Sequence, residues 1–343
     1  MKHVVSRKPS AEPPEAGAGA PVRVGVDVGG TKVLAVVLDP RGTIVGQARR
    51  PTGHGPDAVV ESIVAAAVAA LEHAGTPLAA VASLGVGMPG AVDAATGVVR
   101  DAVNLGITAL DLRAVLTERL GAPTYVENDV NAAAVAAYDA FGGGCRCVAY
   151  LNLGTGLAAG FVLDGALWRG ATGVAGEIGH LVVDPAGAPC ACGLRGCLET
   201  VASGLAIARS WPVAGDHPAA LMLAAAARGD AAAAAAARSF ASGVLAAARL
   251  VVLTVDAELV LLGGGLANLG APLLQLLTQL DAQESAASPF AASLALSARI
   301  RLVPPDYPVA ALGAARLGGS DAAPPLGSAA APDQAGERGW ARV

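Results

Sequence analysis

Four residues between Gly176 and Glu199 carry the spacing His-x9-Cys-x-Cys-x4-Cys: His180, Cys190, Cys192 and Cys197. Three thiolates and one imidazole satisfy a tetrahedral Zn2+ and leave no place for water, which marks a structural ion rather than a catalytic one. Gly187, Gly193 and Gly196 let the backbone fold tightly around such an ion, and metal binding would order the loop. Cysteine is scarce, and three of the five fall within eight positions, which sets the pattern apart from scattered buried thiols. Zinc ribbons that bind nucleic acid bring two CxxC knuckles and a basic surface, and this chain has neither.

A second kind of chemistry is written in glycines. Asp27-Val28-Gly29-Gly30-Thr31-Lys32 places a carboxylate at a strand end, then two glycines, a hydroxyl and an ammonium. Glycine removes the Cβ and permits unusual φ angles, so backbone N–H groups can approach phosphate oxygens while Asp27 faces their Mg2+. For this segment alone an ordinary hairpin turn is the competing reading. Leu153-Gly154-Thr155-Gly156 and Gly263-Gly264-Gly265 repeat the arrangement, each after an apolar strand. Three such turns together are what a nucleotide lying between two lobes requires.

The elements that must hold these groups read as two α/β lobes, the better expectation for 343 residues. Residues 22–50 alternate as three strands, and a helix follows from Pro56, with Asp57 as its N-cap and Gly75 just past its end. SLGVGMPG reads as a strand entering a loop, Asp111 to Leu120 as a helix stopped by Gly121, and PTYVEND as a strand entering a helix near Asp129. CVAYLNLGTGLAAGFVLDG is a second hairpin opening, and two such openings predict lobes of similar build. Alanine-rich helix fills 219–254, interrupted at Gly229, and a short apolar helix near the end is expected to pack back on the first lobe. The expected division is a disordered leader over 1–20, a first lobe over 21–123 completed by a helix at 308–318, a second lobe over 124–307 and a disordered tail over 319–343.

A net charge of −5 without any Lys/Arg block disfavours nucleic acid as a partner. No membrane partner is expected either: the N-terminus lacks an apolar signal segment, and the longest apolar run, Gly243 to Val255, is short and broken by Arg249. A disulfide between the near neighbours Cys145 and Cys147 would be strained, so a reducing cytoplasm suits all five thiols.

In order, DVGGTK, GMPGAVD, END, LGTG, GEIGH and CxCGxxGCLE resemble the ROK family of sugar kinases and sugar-responsive repressors, over about residues 22–317. The resemblance implies an actin/hexokinase-like (ribonuclease-H-like) α/β fold, with sugar and ATP in the cleft between the lobes and a structural zinc loop. It implies Asp129 as the base that takes the proton of the sugar hydroxyl, with a helix start favouring its ionised form. Without the resemblance, a plain N-cap is the competing role for Asp129. Asn104, Asn128, Glu177, His180 and Glu199 match positions that bond sugar hydroxyls, where solvated turn carboxylates are the competing reading for the two glutamates. His180 would hold zinc through one ring nitrogen and face the sugar with the other. Asp27, Gly29, Gly30, Thr31, Lys32, Gly154, Thr155, Gly156, Gly263 and Gly264 match the ATP and Mg2+ side.

Two departures stand out. Ala158 and Ala159 replace the glycines usual after LGTG and are expected to crowd the nucleotide, and the tryptophan usual after Asn104-Leu105 is absent. The implied reaction is phosphorylation of a hexose, with glucose O6 first and an N-acetylhexosamine second. About twenty residues precede the first strand, against the roughly sixty that a winged helix-turn-helix needs. The repressor reading therefore ranks below the kinase. A dimer or tetramer is implied by family habit alone.

Overall fold

A computed structural model describes residues 20–215 and 217–319, so the leader and tail lie outside the described residues except for Ala20 and Gly319. The first sheet runs β3-β2-β1-β4-β8, built from β1 (Val22–Val28), β2 (Lys32–Leu38), β3 (Ile44–Pro51), β4 (Val81–Met88) and β8 (Thr124–Asn128). β1, β2 and β3 are antiparallel, and β4 and β8 continue from β1 in parallel. α1 (Pro56–His73) covers one face, with Val59, Ile63, Ala67 and Ala70 closing on the strand valines. Its N-cap is Gly55, not Asp57, because Pro56 already takes the first helical position; Asp57 instead lies in the first turn, where its charge suits the helix dipole.

Between β4 and β8 stand a small antiparallel sheet, β5 (Ala91–Asp93), β6 (Val98–Ala102) and β7 (Ile107–Asp111), and α2 (Leu112–Leu120). α2 is capped by the Asp111 side chain on Ala114 N–H and stopped by left-handed Gly121. β8 pairs with β4 across Leu84–Met88, so the first sheet extends to Asn128 and the expected break before residue 124 falls too early. The reason is topological: a parallel strand must return through a crossover before the chain can leave the sheet.

The second sheet repeats the first, as the two hairpin openings suggest. Its order is β11-β10-β9-β12-β13, from β9 (Cys147–Leu153), β10 (Leu157–Leu163), β11 (Ala166–Trp168), β12 (Leu259–Gly263) and β13 (Ile300–Leu302). The first three are antiparallel and the last two parallel. α4 (Gly204–Ser210), α5 (Pro218–Ala227), α6 (Ala231–Val255), α7 (Ala271–Ala287), α8 (Pro289–Leu294) and α9 (Leu296–Arg299) build this lobe's outer side. α6 is longer than the run read from the sequence and is apolar and long enough to cross a bilayer, yet Phe240, Val244, Leu245, Val251 and Val252 bury it against β9 and β12. Its Arg249 pairs with Glu284 of α7.

Two helices lie between the sheets: α3 (Asp129–Phe141), which follows β8, and α10 (Val309–Leu317), which returns from the second lobe as expected. Small residues set their spacing. A Cβ at Gly25 of β1 would overlap Ala311 O, one at Gly85 of β4 would overlap Ala314 O, and one at Gly313 would overlap Ala132 O of α3. At Gly160 of β10 it would lie 2.9 Å from Val130 O. Sheet, helix, helix and sheet thus touch backbone to backbone, which only glycine permits.

Candidate active site

β1 alternates, so Val26 and Val28 enter the core and Asp27 points the other way, into a cleft of about 310 Å³. Gly29, Lys32, Arg49, Asp129, Tyr150, Asn152 and Gly263–Gly265 line the same cleft. Asp129 arrives there because Asn128, not Asp129, is the N-cap: its Oδ1 accepts from Val130 and Asn131 N–H at 3.0 and 3.2 Å. Asp129 therefore holds the first helical position, its Oδ1 accepting from Val130 N–H at 3.0 Å while the carboxylate faces the cleft, and bare Gly87 of β4 lets it approach. The cap leaves the Asn128 amide donating to Gly90 O at 3.4 Å, so Asn128 acts first as a structural cap.

The two aspartates are partly open to the cleft yet ringed by protein. Burial, then repulsion from Asp129, pushes Asp27 up to about 7 against the pull of Lys32. Burial pushes Asp129 up to about 6, with Glu177 adding to the rise and the Val130 N–H opposing it. Asp129 is thus poised near neutrality, the range in which a carboxylate works as a base.

Gly29 and Gly30 do not take the left-handed angles expected of them. Their small size serves contacts instead: a Cβ would lie 3.2 Å from Lys32 O at Gly29, and 3.4 Å from Asn104 Nδ2 at Gly30. Thr31 is exposed beside them, and its carbonyl accepts from Thr52 N–H at 3.1 Å. Gly264 does have φ +80, and a Cβ there would meet Asn152 Oδ1 at 2.6 Å, while one at Gly263 would overlap the Tyr150 hydroxyl. Gly154, Thr155 and Gly156 turn beside this cleft but are not in its lining. Gly156 is bare because the Glu199 carboxylate occupies the space of a Cβ, with Glu199 Oε2 accepting from Leu157 N–H at 3.1 Å. Ala159 is buried in the second core and Ala158 packs toward α3, and neither is in the lining of this cleft.

On the other side of Asp129, Glu177 and His180 share one turn, with His180 Nε2 4.0 Å from Glu177 Oε2. The other ring nitrogen, Nδ1, is 3.6 Å from Cys190 Sγ, and Cys192 Sγ is 3.7 Å from Cys197 Sγ. All four candidate ligand atoms lie within 4.8 Å of one another. A tetrahedron with Zn–S near 2.3 Å has S···S edges of about 3.8 Å, so the set fits zinc. Burial and the neighbouring sulfurs push the Cys197 thiol up to about 12, and a cation is what would make its thiolate stable at neutral pH. Gly193 and Gly196 are left-handed, and a Cβ at Gly196 would overlap Asp184 O, as a tight loop demands. Glu199 Oε1 lies 3.9 Å from Cys190 Sγ, so this glutamate bridges the cysteine loop and the β9–β10 turn.

Sequence reasoning missed Arg169, Tyr150 and Asn152. Tyr150 is 2% exposed, and burial with two facing aspartates raises its phenol. Arg169 pairs with Glu127, whose charge inside a buried strand is itself a signal that a partner exists.

Two sheets of matching build around paired helices, with carboxylates at the cleft and a Cys3His loop, define an actin/hexokinase-like fold with a site compatible with structural zinc. The chain belongs to the ROK family, whose profile matches residues 23–302. It is similar to a glucokinase of Streptomyces coelicolor, 41% identical over 187 residues, 54% of this chain and 57% of that protein. That match spans little more than half the length of the glucokinase. An N-acetylmannosamine kinase of Escherichia fergusonii is 31% identical over 277 residues, 76% of this chain and 89% of that protein. The crystal structure of a ROK family glucokinase from Streptomyces griseus in complex with glucose and AMPPNP superposes with TM-score 0.70 at 29% identity, covering 87% of this chain and 99% of that one.

Proposed function

We propose that the protein transfers the γ-phosphoryl group of ATP to a hexose hydroxyl, with glucose to glucose 6-phosphate as the leading reaction. The observation that carries this is Asp129, seated at the start of α3 where the glycine-lined cleft meets the Glu177–His180 turn, with its carboxyl pushed up to about 6. At neutral pH it is ionised and basic enough to take the proton as the sugar oxygen bonds to phosphorus and ADP leaves. Mg2+ held by Asp27 and the phosphates would supply charge neutralisation, which suits an ion that binds through one or two carboxylates. Zinc held by His180, Cys190, Cys192 and Cys197 would fix the His180 ring, whose Nδ1 is 3.6 Å from Cys190 Sγ, and leave Nε2 on the Glu177 side to bond sugar hydroxyls. Cys190, Cys192 and Cys197 must stay reduced for this, which suits the cytoplasm.

An N-acetylhexosamine is the second substrate, favoured by the likeness to N-acetylmannosamine kinase over 76% of the chain. The test is ADP release with Mg-ATP against glucose, mannose, fructose, N-acetylglucosamine and N-acetylmannosamine, with Asp129→Asn as control. Turnover with one sugar that the variant loses names the substrate. No turnover with any of them counts against the reading.

A further inference from the structure

Glu127 is the residue before the α3 cap and is 4% exposed, yet its carboxylate has four donors. Oε2 accepts from Arg169 Nε at 2.7 Å and Nη2 at 2.6 Å, and Oε1 from Asn128 N–H at 3.0 Å and the Asn131 side-chain amide at 3.1 Å. Glu127 belongs to β8, the edge of the first sheet, whereas Arg169 directly follows β11, the edge of the second. The Arg169 carbonyl accepts from Ala175 N–H at 3.3 Å, closing a loop onto Gly176, whose own carbonyl accepts from Ala159 N–H of β10 at 2.8 Å. Glu177 comes next. One arginine therefore joins the start of the helix that carries Asp129 to the root of the turn that carries Glu177 and His180. A buried ion pair is no better for stability than a well-packed apolar pair of the same size. What it does supply is direction: the guanidinium fixes the carboxylate, and the carboxylate fixes the Asn128 N–H and Asn131 amide beside Asp129.

We propose that Arg169 is a positioning residue that, through Glu127, holds Asp129 in register with the Glu177–His180 turn across the two lobes. This rests on Asp129 being the base, and the experiment separates the two ideas. Steady-state kinetics with glucose and Mg-ATP are compared for wild type, Arg169→Met, Arg169→Lys and the double variant Glu127→Gln/Arg169→Met, each with its melting temperature. Arg169→Met is expected to lose kcat roughly 10- to 100-fold with the KM for ATP little changed, the size of effect that a small misplacement of a reacting group causes. Guanidinium ion added to Arg169→Met restores part of kcat and does nothing for wild type, and Arg169→Lys falls between. The double variant, with no lone buried charge, recovers the melting temperature but not kcat. Recovery of both together, or a single variant within about twofold of wild-type kcat, overturns the proposal. Amide hydrogen exchange at residues 128–131 decides it independently of turnover: Arg169→Met raises exchange there and not in α6, and unchanged protection overturns it. Lack of wild-type turnover bears on the kinase reading alone.

Discussion

Replacing Asp129 by asparagine should make the protein more stable and inactive at once, with a stability gain that depends on pH. An aspartate whose folded pKa is raised binds its proton more tightly folded than unfolded. Its charge therefore destabilises the fold above the folded pKa, and the penalty fades as pH falls through about 6 toward the unfolded value. With 3.8 unfolded and about 6 folded, the penalty is about 3 kcal/mol at pH 7.5. The same linkage leaves about half of that at pH 5 and about a fifth of it at pH 4. Asparagine has no charge to bury and keeps an oxygen to accept from the Val130 N–H, so its advantage should follow this curve. Urea unfolding of both proteins at the three pH values, without nucleotide or sugar, measures it. A variant no more stable than wild type at pH 7.5, or a difference that does not shrink on acidification, refutes the argument that burial sets this group's charge. Asp27 adds a second check, since losing the Asp129 charge removes one of the causes that raise it.

Further expectations follow from the same geometry. At saturating Mg-ATP, where the bound ion keeps Asp27 ionised, the acid limb of kcat/KM for the sugar should lie near pH 6, with activity falling about tenfold per unit below it as Asp129 takes up its proton; a limb near 4 would contradict the burial argument. Elemental analysis should find one zinc per chain, lost in Cys197→Ser together with sugar affinity; full sugar binding by metal-free protein would refute a structural ion. Gly313→Ala forces a Cβ into Ala132 O and should cost about 3 kcal/mol or more, read as a fall in melting temperature. Ala159→Gly should leave the KM for ATP unchanged and cost about 1 kcal/mol, because its methyl fills the second core and not the cleft.

How much could be read from sequence depended on the range of the forces involved. Local signals carried far: the hairpins at Asp27 and Leu153, the Gly121 stop, the strand-to-helix passage at Asn128 and the Cys3His spacing all appear in the structure. Assignments that needed a partner distant in the chain went astray. β8 looks like the opening of the second lobe until its pairing with β4 is known. Ala158 and Ala159 join opposite faces of β10, the α3 side and the second core, which shows only once the strand is paired. Glu127 announces a buried charge, but its partner is 42 residues away, beyond any local pattern. The glycines of Gly29-Gly30 signal a tight place, although steric approach and not backbone angle is the cause.

α10 lies against β1 and β4 yet is made after the whole second lobe. During synthesis the first sheet emerges with one face unclosed and stays so while the 174 residues from α3 to β13 leave the ribosome. The second lobe can finish its own core in that interval, whereas the first waits with Gly25 and Gly85 bare. Assembly is thus out of order with translation, and the chain's earliest strands are its longest exposed to wrong partners. A stop codon placed just before Val309 would take only Val309 and Ala310 from the lining of the cleft and still deny the first lobe its missing layer.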